Sequence, residues 1–218
     1  MDVKYILSKT DHTLLKPNST EKEILKLIQD GMEYSVASIC IPPSFVRFAS
    51  NNSKDLNICT VIGFPNGYNN TSVKEKETEQ ALIEGASEID MVINIGDLKD
   101  KKHKKVEDEI NKIKDIASKN ILKVIIETCL LTEEEKIIMC KIISDTKADY
   151  IKTSTGFSIA GATVKDIELF KKHIDKRVKI KAAGGIRTLE DAKMYLDLGC
   201  ERIGASSIVE AVKRLNNI

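Results

Sequence analysis

The chain has 218 residues, 42% of them hydrophobic, with 34 Lys and Arg set against 33 Asp and Glu. That length and apolar content suit one large domain with its own core, while balanced charge, 5% aromatics and no Trp leave neither a basic patch nor stacking platforms for nucleic acid. No stretch approaches the roughly 18 uninterrupted apolar residues of a membrane span, and "MDVKYILSKTDHTLL" lacks the apolar run of a secretory signal, so a cytoplasmic protein with no membrane partner is expected.

Strand-like and helix-like segments alternate along the chain. A short N-terminal helix precedes a strand at "TDHTLL" (10–15), and a helix over 20–33 follows, opened by Ser19 or by Thr20 with Glu23 and released near Gly31. "SVASICI" (35–41) and "ICTVIGF" (58–64) read as strands, then a helix over 72–85 ends at Gly85 and leads to "EIDMVIN" (88–94). The pattern continues with a helix over 103–119, "KVIIET" (123–128), a helix over 132–146 opened by Thr132 with Glu135, and "YIKTS" (150–154). A helix over 163–173, "KIKAAG" (179–184), a helix over 188–198 closed by Gly199, "RIGAS" (202–206) and a final helix complete it. Eight strands in strict alternation with helices, and no Pro/Ser-rich linker, predict a single (β/α)8 TIM barrel over 1–218 with a short N-terminal helix. A doubly wound open sheet is the competing architecture, but no GxGxxG follows an early strand to support it.

Side chains alternate along a barrel strand, and the apolar set must face the helices. Ile89, Met91 and Ile93 therefore point outward, leaving Asp90, Val92 and Asn94 inside. The same rule places Lys152 inside between Ile151 and Thr153, and Lys181 inside between Ile180 and Ala182. Lys123 and Glu127, Ser38 and Cys40, and Asp11 and Thr13 also face the interior. A barrel with only a structural role would fill such positions with Val, Ile and Leu. One inward lysine is compatible with a structural salt bridge, but two on consecutive strands, with Asp11, Asp90 and Glu127 facing the same space, ask for chemistry.

Adjacent strands lie about 4.8 Å apart, so the two amines can meet. At roughly 5 Å and an effective dielectric near 20, two ammonium groups repel by about 3 kcal/mol, so one is expected to be partly neutral. A neutral buried amine attacks carbonyls and forms a Schiff base. Lys152 is the expected nucleophile, Lys181 its electrostatic partner and Asp90 a proton shuttle, for carbon–carbon bond cleavage or formation through an imine and enamine.

The last two strands suggest a second subsite. "AAGGIRT" carries Gly184 and Gly185 ahead of a helix, and "RIGASS" carries Gly204, Ser206 and Ser207 ahead of the final one. Glycine lets backbone N–H groups approach an anion, serine adds donors, and helix N-termini favour negative charge, so a small phosphorylated substrate is expected there. The five cysteines are scattered without a CxxC pair and the three histidines lack ligand spacing, so neither a disulfide framework nor a metal site is expected, and no cofactor is called for.

The motifs "DHTLLKP", "ASICIPPSFV", "TVIGFPNG", "EIDMVINIG", "KVIIET", "IKTSTGF", "KAAGGIRT" and "RIGASS" together resemble the deoxyribose-phosphate aldolase family, in its order and spacing and over almost the whole chain. The resemblance implies reversible cleavage of 2-deoxy-D-ribose 5-phosphate to acetaldehyde and D-glyceraldehyde 3-phosphate, with Lys152 forming the Schiff base and Asp90 and Lys181 transferring protons. It implies a phosphate site at Gly184, Gly185, Gly204, Ser206 and Ser207 with Thr155 and Arg187 nearby, Cys40 near the substrate, and a homodimer or homotetramer. The chain departs from some relatives in having Phe157 where they carry lysine, and in ending "KRLNNI" where they carry a tyrosine-bearing tail. A transaldolase-like barrel and a non-catalytic sugar-phosphate sensor are the rival readings, separated by a substrate panel and by whether an imine forms.

Overall fold

A computed structural model describes residues 2–216. Eight parallel strands close into a barrel in sequence order, β1 (Thr10–Thr13), β2 (Ser38–Ile41), β3 (Ile58–Ile62), β4 (Glu88–Val92), β5 (Ile121–Ile125), β6 (Tyr150–Lys152), β7 (Lys179–Ala183) and β8 (Arg202–Ala205), with β8 pairing back onto β1. This is the (β/α)8 barrel expected from the alternation. The short N-terminal helix α1 (Val3–Ser8) is present as well.

Around the barrel run α2 (Glu21–Glu33), α3 (Val46–Asn52), α4 (Thr71–Ile83), α5 (Ile95–Lys99), α6 (His103–Ala117), α7 (Glu133–Asp145), α8 (Val164–His173), α9 (Leu189–Asp197) and α10 (Ile208–Asn216). Thr20 with Glu23 and Thr132 with Glu135 form reciprocal capping boxes, each satisfying helix N–H groups that would otherwise lack partners. Ser19 is not the cap of α2; its hydroxyl donates to the Lys16 carbonyl instead. The main core lies between sheet and helices, where Ile89, Met91, Ile93, Ile151, Ile180 and Ala182 join residues of the helical layer, so the outward half of the alternation is as expected. Fully burying a side chain of that size contributes about 1.5–3 kcal/mol.

The structure corrects several local expectations. Gly31 lies inside α2 rather than at its end, and a Cβ there would come within 3.0 Å of Ile39 and 3.1 Å of Leu56, so its role is close helix–sheet approach. Gly85 and Gly199, at φ +110° and +99°, do release the chain after α4 and α9. β4 ends at Val92, and Asn94 turns out of the barrel to cap α5 by accepting from the Asp97 N–H. α3 and α5 escape a reading by periodicity because they are seven and five residues long.

Candidate active site

Pairing of adjacent strands decides which inward side chains share a level. Asp90 stands opposite Lys123, Lys152 opposite Lys181, and Lys181 opposite Arg202. Their polar ends converge on Asp90, which is fully buried. Lys152 Nζ and Lys181 Nζ each lie 2.7 Å from Asp90 Oδ2, and Lys123 Nζ lies 2.8 Å from Oδ1. Lys181 also pairs with Asp11, whose other oxygen accepts from Ser38 Oγ at 2.7 Å.

The two lysines singled out in the sequence therefore meet as expected, but on a single carboxylate oxygen that offsets their repulsion. Burial by itself would raise the Asp90 carboxyl, yet Lys123, Lys152 and Lys181 together hold it well below the usual carboxylate range. Asp11 shows the same contest: burial is outweighed by Lys181, Lys123 and Arg202, and its carboxyl is held below the usual range. Burial disfavours the Lys181 ammonium, but Asp11 and Asp90 more than compensate and raise it above the ordinary lysine value.

Cys40 and Cys59 stand opposite each other on β2 and β3 and, with Val61, form a small apolar cluster against this network. Hydrogen bonding to Cys59 lowers the Cys40 thiol, while burial pushes the Cys59 thiol well up. One ligand atom from each of Cys40, Cys59 and Asp90 would fit within 4.8 Å of the others, but three lysine amino groups already occupy the Asp90 carboxylate.

Glu127 does not join the lysines. It lies beyond the end of β5 in the left-handed region, φ +53°, and accepts from the backbone N–H of Thr155 at 3.3 Å and from its hydroxyl. Thr155 Oγ1 in turn accepts from the Phe157 N–H at 3.1 Å, so Glu127 shapes the loop after Lys152.

A cavity of about 240 Å³ opens at the C-terminal ends of β1, β6, β7 and β8, the end where barrel active sites lie. Lys152, 3% exposed, reaches its floor. Thr13, Thr155, Gly184, Gly185, Gly204 and Ser206 line it, and Phe157, packed edge-on against Phe64 at 5.2 Å, closes one side. Gly184, at φ +82°, lets the loop pass so close to Gly161 that an added Cβ would come within 2.9 Å of its Cα.

Two expected phosphate residues stand apart from that lining. The Ser207 hydroxyl donates to the Arg187 carbonyl at 3.1 Å, and Arg187 is exposed and is not among the residues lining the cavity. At the N-terminus of α9, Asp191 accepts from the N–H groups of Arg187 and Thr188 at 3.0 Å. α10 begins at Ile208, two residues after Ser206, which lines the cavity.

Sequence reasoning missed Glu88, Arg202, Cys59 and Lys16. Arg202 reaches Asp11 at 2.5 Å and Glu88 at 3.0 Å, and Glu88 reaches Lys123 at 2.6 Å. The same alternation that placed Asp90 inward marks Glu88 two residues earlier, at the first position of β4, and Arg202 opens β8 in register with Lys181. Cys59 follows from its register with Cys40. Lys16 lines the cavity from the loop after β1, where periodicity gives no signal.

The chain matches the family model "DeoC/LacD family aldolase" over residues 5–208. It is 55% identical over 209 residues to a protein of Clostridium botulinum (strain Eklund 17B / Type B) named deoxyribose-phosphate aldolase, the match covering 95% of each chain. Among solved structures it resembles "QR15, an Aldolase" with a TM-score of 0.93 and 38% identity, covering 97% of this chain and 96% of that one. It also resembles the deoxyribose phosphate aldolase from Aeropyrum pernix, described as a unique tetrameric structure, with a TM-score of 0.89 and 26% identity over 99% of this chain and 92% of that one.

Proposed function

The chain belongs to the DeoC/LacD family of aldolases, and on that premise we propose that it cleaves 2-deoxy-D-ribose 5-phosphate reversibly to acetaldehyde and D-glyceraldehyde 3-phosphate through an imine on Lys152. The observation that carries this reading is the placement of Lys152 at the floor of the cavity, with its Nζ 2.7 Å from an Asp90 oxygen shared with Lys181.

Lys152 as free amine adds to the C1 carbonyl of the open-chain sugar, and the carbinolamine loses water to give the iminium. Asp90, held as a carboxylate, stabilises that positive charge and accepts protons. Loss of the C3 hydroxyl proton breaks the C2–C3 bond, its electrons flow into the iminium, and D-glyceraldehyde 3-phosphate departs. Protonation of the remaining enamine at C2, with Lys181 and Asp90 as the relay, gives the acetaldehyde imine, which water hydrolyses to free Lys152.

The phosphate lies against the backbone of Gly184, Gly185 and Gly204, with Ser206 as side-chain donor. Thr155 and Thr13 face the carbon chain, and Cys40 packs beneath. The whole chain acts as one catalytic unit, working in the cytoplasm as a homodimer or homotetramer. Support for self-association is the tetrameric description of the Aeropyrum relative.

The direct test is borohydride treatment with acetaldehyde followed by peptide mass spectrometry. The adduct is expected on Lys152, and Lys152→Ala should abolish it and reduce sugar phosphate cleavage by several orders of magnitude. An adduct on another lysine would refute the assignment.

A further inference from the structure

The barrel interior holds four cationic side chains, Lys123, Lys152, Lys181 and Arg202, and three carboxylates, Asp11, Glu88 and Asp90. All seven are less than a tenth exposed. A buried charge without a counter-charge is strongly disfavoured, and a lysine can relieve the excess by giving up a proton, whereas a guanidinium cannot.

Each of the other cations is held from several sides. Lys123 reaches Glu88 at 2.6 Å and Asp90 at 2.8 Å, Lys181 pairs with both Asp11 and Asp90, and Arg202 pairs with Asp11 and Glu88. Among the described residues Lys152 pairs with Asp90 alone, through the oxygen that Lys181 also uses.

We propose that Arg202 is a positioning residue for catalysis: committed to Asp11 and Glu88 at the N-terminal end of the strands, it supplies the fourth positive charge, so that the interior is electrically balanced with Lys152 as a free amine. The proposal rests on Lys152 being the nucleophile. Arg202 does not touch the cavity and acts only through the charges between.

The groups facing Lys152 are Asp11 from β1, Cys40 from β2, Cys59 from β3, Asp90 from β4, Lys123 from β5 and Lys181 from β7. Lys16 stands at the cavity mouth, and Glu127 is bound to the loop after β6. Burial keeps the Cys59 thiol protonated, which leaves Cys40 as the other group able to take up a proton's worth of charge.

Glu88 on β4 and Arg202 on β8 are each two strands from Lys152 on β6, so their effects should be similar in size and opposite in sign. Two strand spacings are about 10 Å, and one unit charge at that distance, at an effective dielectric near 20, moves a protonation midpoint by about one pH unit.

The experiment follows acetaldehyde capture on Lys152 by cyanoborohydride, quantified by mass spectrometry across pH, in the wild type, Arg202→Met, Glu88→Gln and the double variant. Arg202→Met should move the acid limb of capture up by about one pH unit, Glu88→Gln should move it down by a similar amount, and the double variant should return it. Arg202→Lys, which keeps the charge, should leave the limb in place. A purely structural role would lower yield without moving the limb in opposite directions. If Arg202→Met fails to fold, the downward shift in Glu88→Gln decides alone. An unmoved limb, shifts of the same sign, or a limb moved by Cys40→Ala instead would overturn the proposal, whereas no wild-type adduct on Lys152 would overturn the nucleophile assignment itself.

Discussion

Asp90→Asn removes one negative charge from the point where three lysine amino groups converge. The amide keeps the shape of the carboxylate but brings two N–H donors toward donors at 2.7, 2.7 and 2.8 Å. At an effective dielectric near 20, a unit pair at such a distance attracts by about 6 kcal/mol before desolvation is counted. Measured losses on breaking a buried ion pair are smaller, about 3–5 kcal/mol, and that is the destabilisation expected at pH 7.

The variant should relieve the cost by shedding a lysine proton that the wild type keeps. Its folded state then binds fewer protons than its unfolded state, in which lysines titrate near 10.4, so its stability rises with pH. Relative to wild type it should recover about 1.4 kcal/mol per pH unit for each additional proton released, between about pH 7 and 9. Urea unfolding of both proteins at several pH values measures this, and turnover should fall by orders of magnitude in parallel. A stability gap that stays constant with pH, or turnover that survives, would refute the view of Asp90 as the shared counter-charge.

Replacing Ser206 by Asp puts a carboxylate at the phosphate end of the cavity, so KM for the phosphorylated sugar should rise steeply while the rate with unphosphorylated deoxyribose changes far less. Equal losses on the two substrates in steady-state kinetics would move the phosphate site elsewhere. His12, on the outward face of β1, is 4% exposed with Nδ1 unpartnered, and burial lowers it to about 4. The unfolded state therefore binds the His12 proton first, and stability should fall from about pH 6.5 down to about 4 by up to roughly 3 kcal/mol, a loss that His12→Leu should flatten in urea midpoints taken across that range.

Much of the candidate site was legible because one rule reaches both fold and chemistry. Outward positions must be apolar to meet the helices, so a charged residue between two apolar ones on a strand, as Asp90, Lys152 and Lys181 are, has to point inward. The rule carries no information about chain direction after a strand ends. Asn94 and Glu127 left the barrel because a helix cap and a left-handed turn redirected them, and the Ser207 hydroxyl turned to the Arg187 carbonyl. Nor does a buried lysine declare its purpose. Lys74, fully buried on α4, is held by Glu109 at 2.9 Å and the Val92 carbonyl at 2.8 Å outside the barrel interior, and serves packing between helices and sheet.

Sequence by itself determined the strand–helix alternation, the outward core and the inward placement of Asp11, Asp90, Lys123, Lys152 and Lys181, since these depend on periodicity and on the preference of apolar surface for burial. Only the closed barrel decided that Lys152 and Lys181 share one oxygen of Asp90, and that Arg202 and Glu88 enter the same electrostatic network. Those contacts join residues as far as 191 positions apart, and strand register and barrel closure, which no local pattern encodes, bring their charges within a few ångströms.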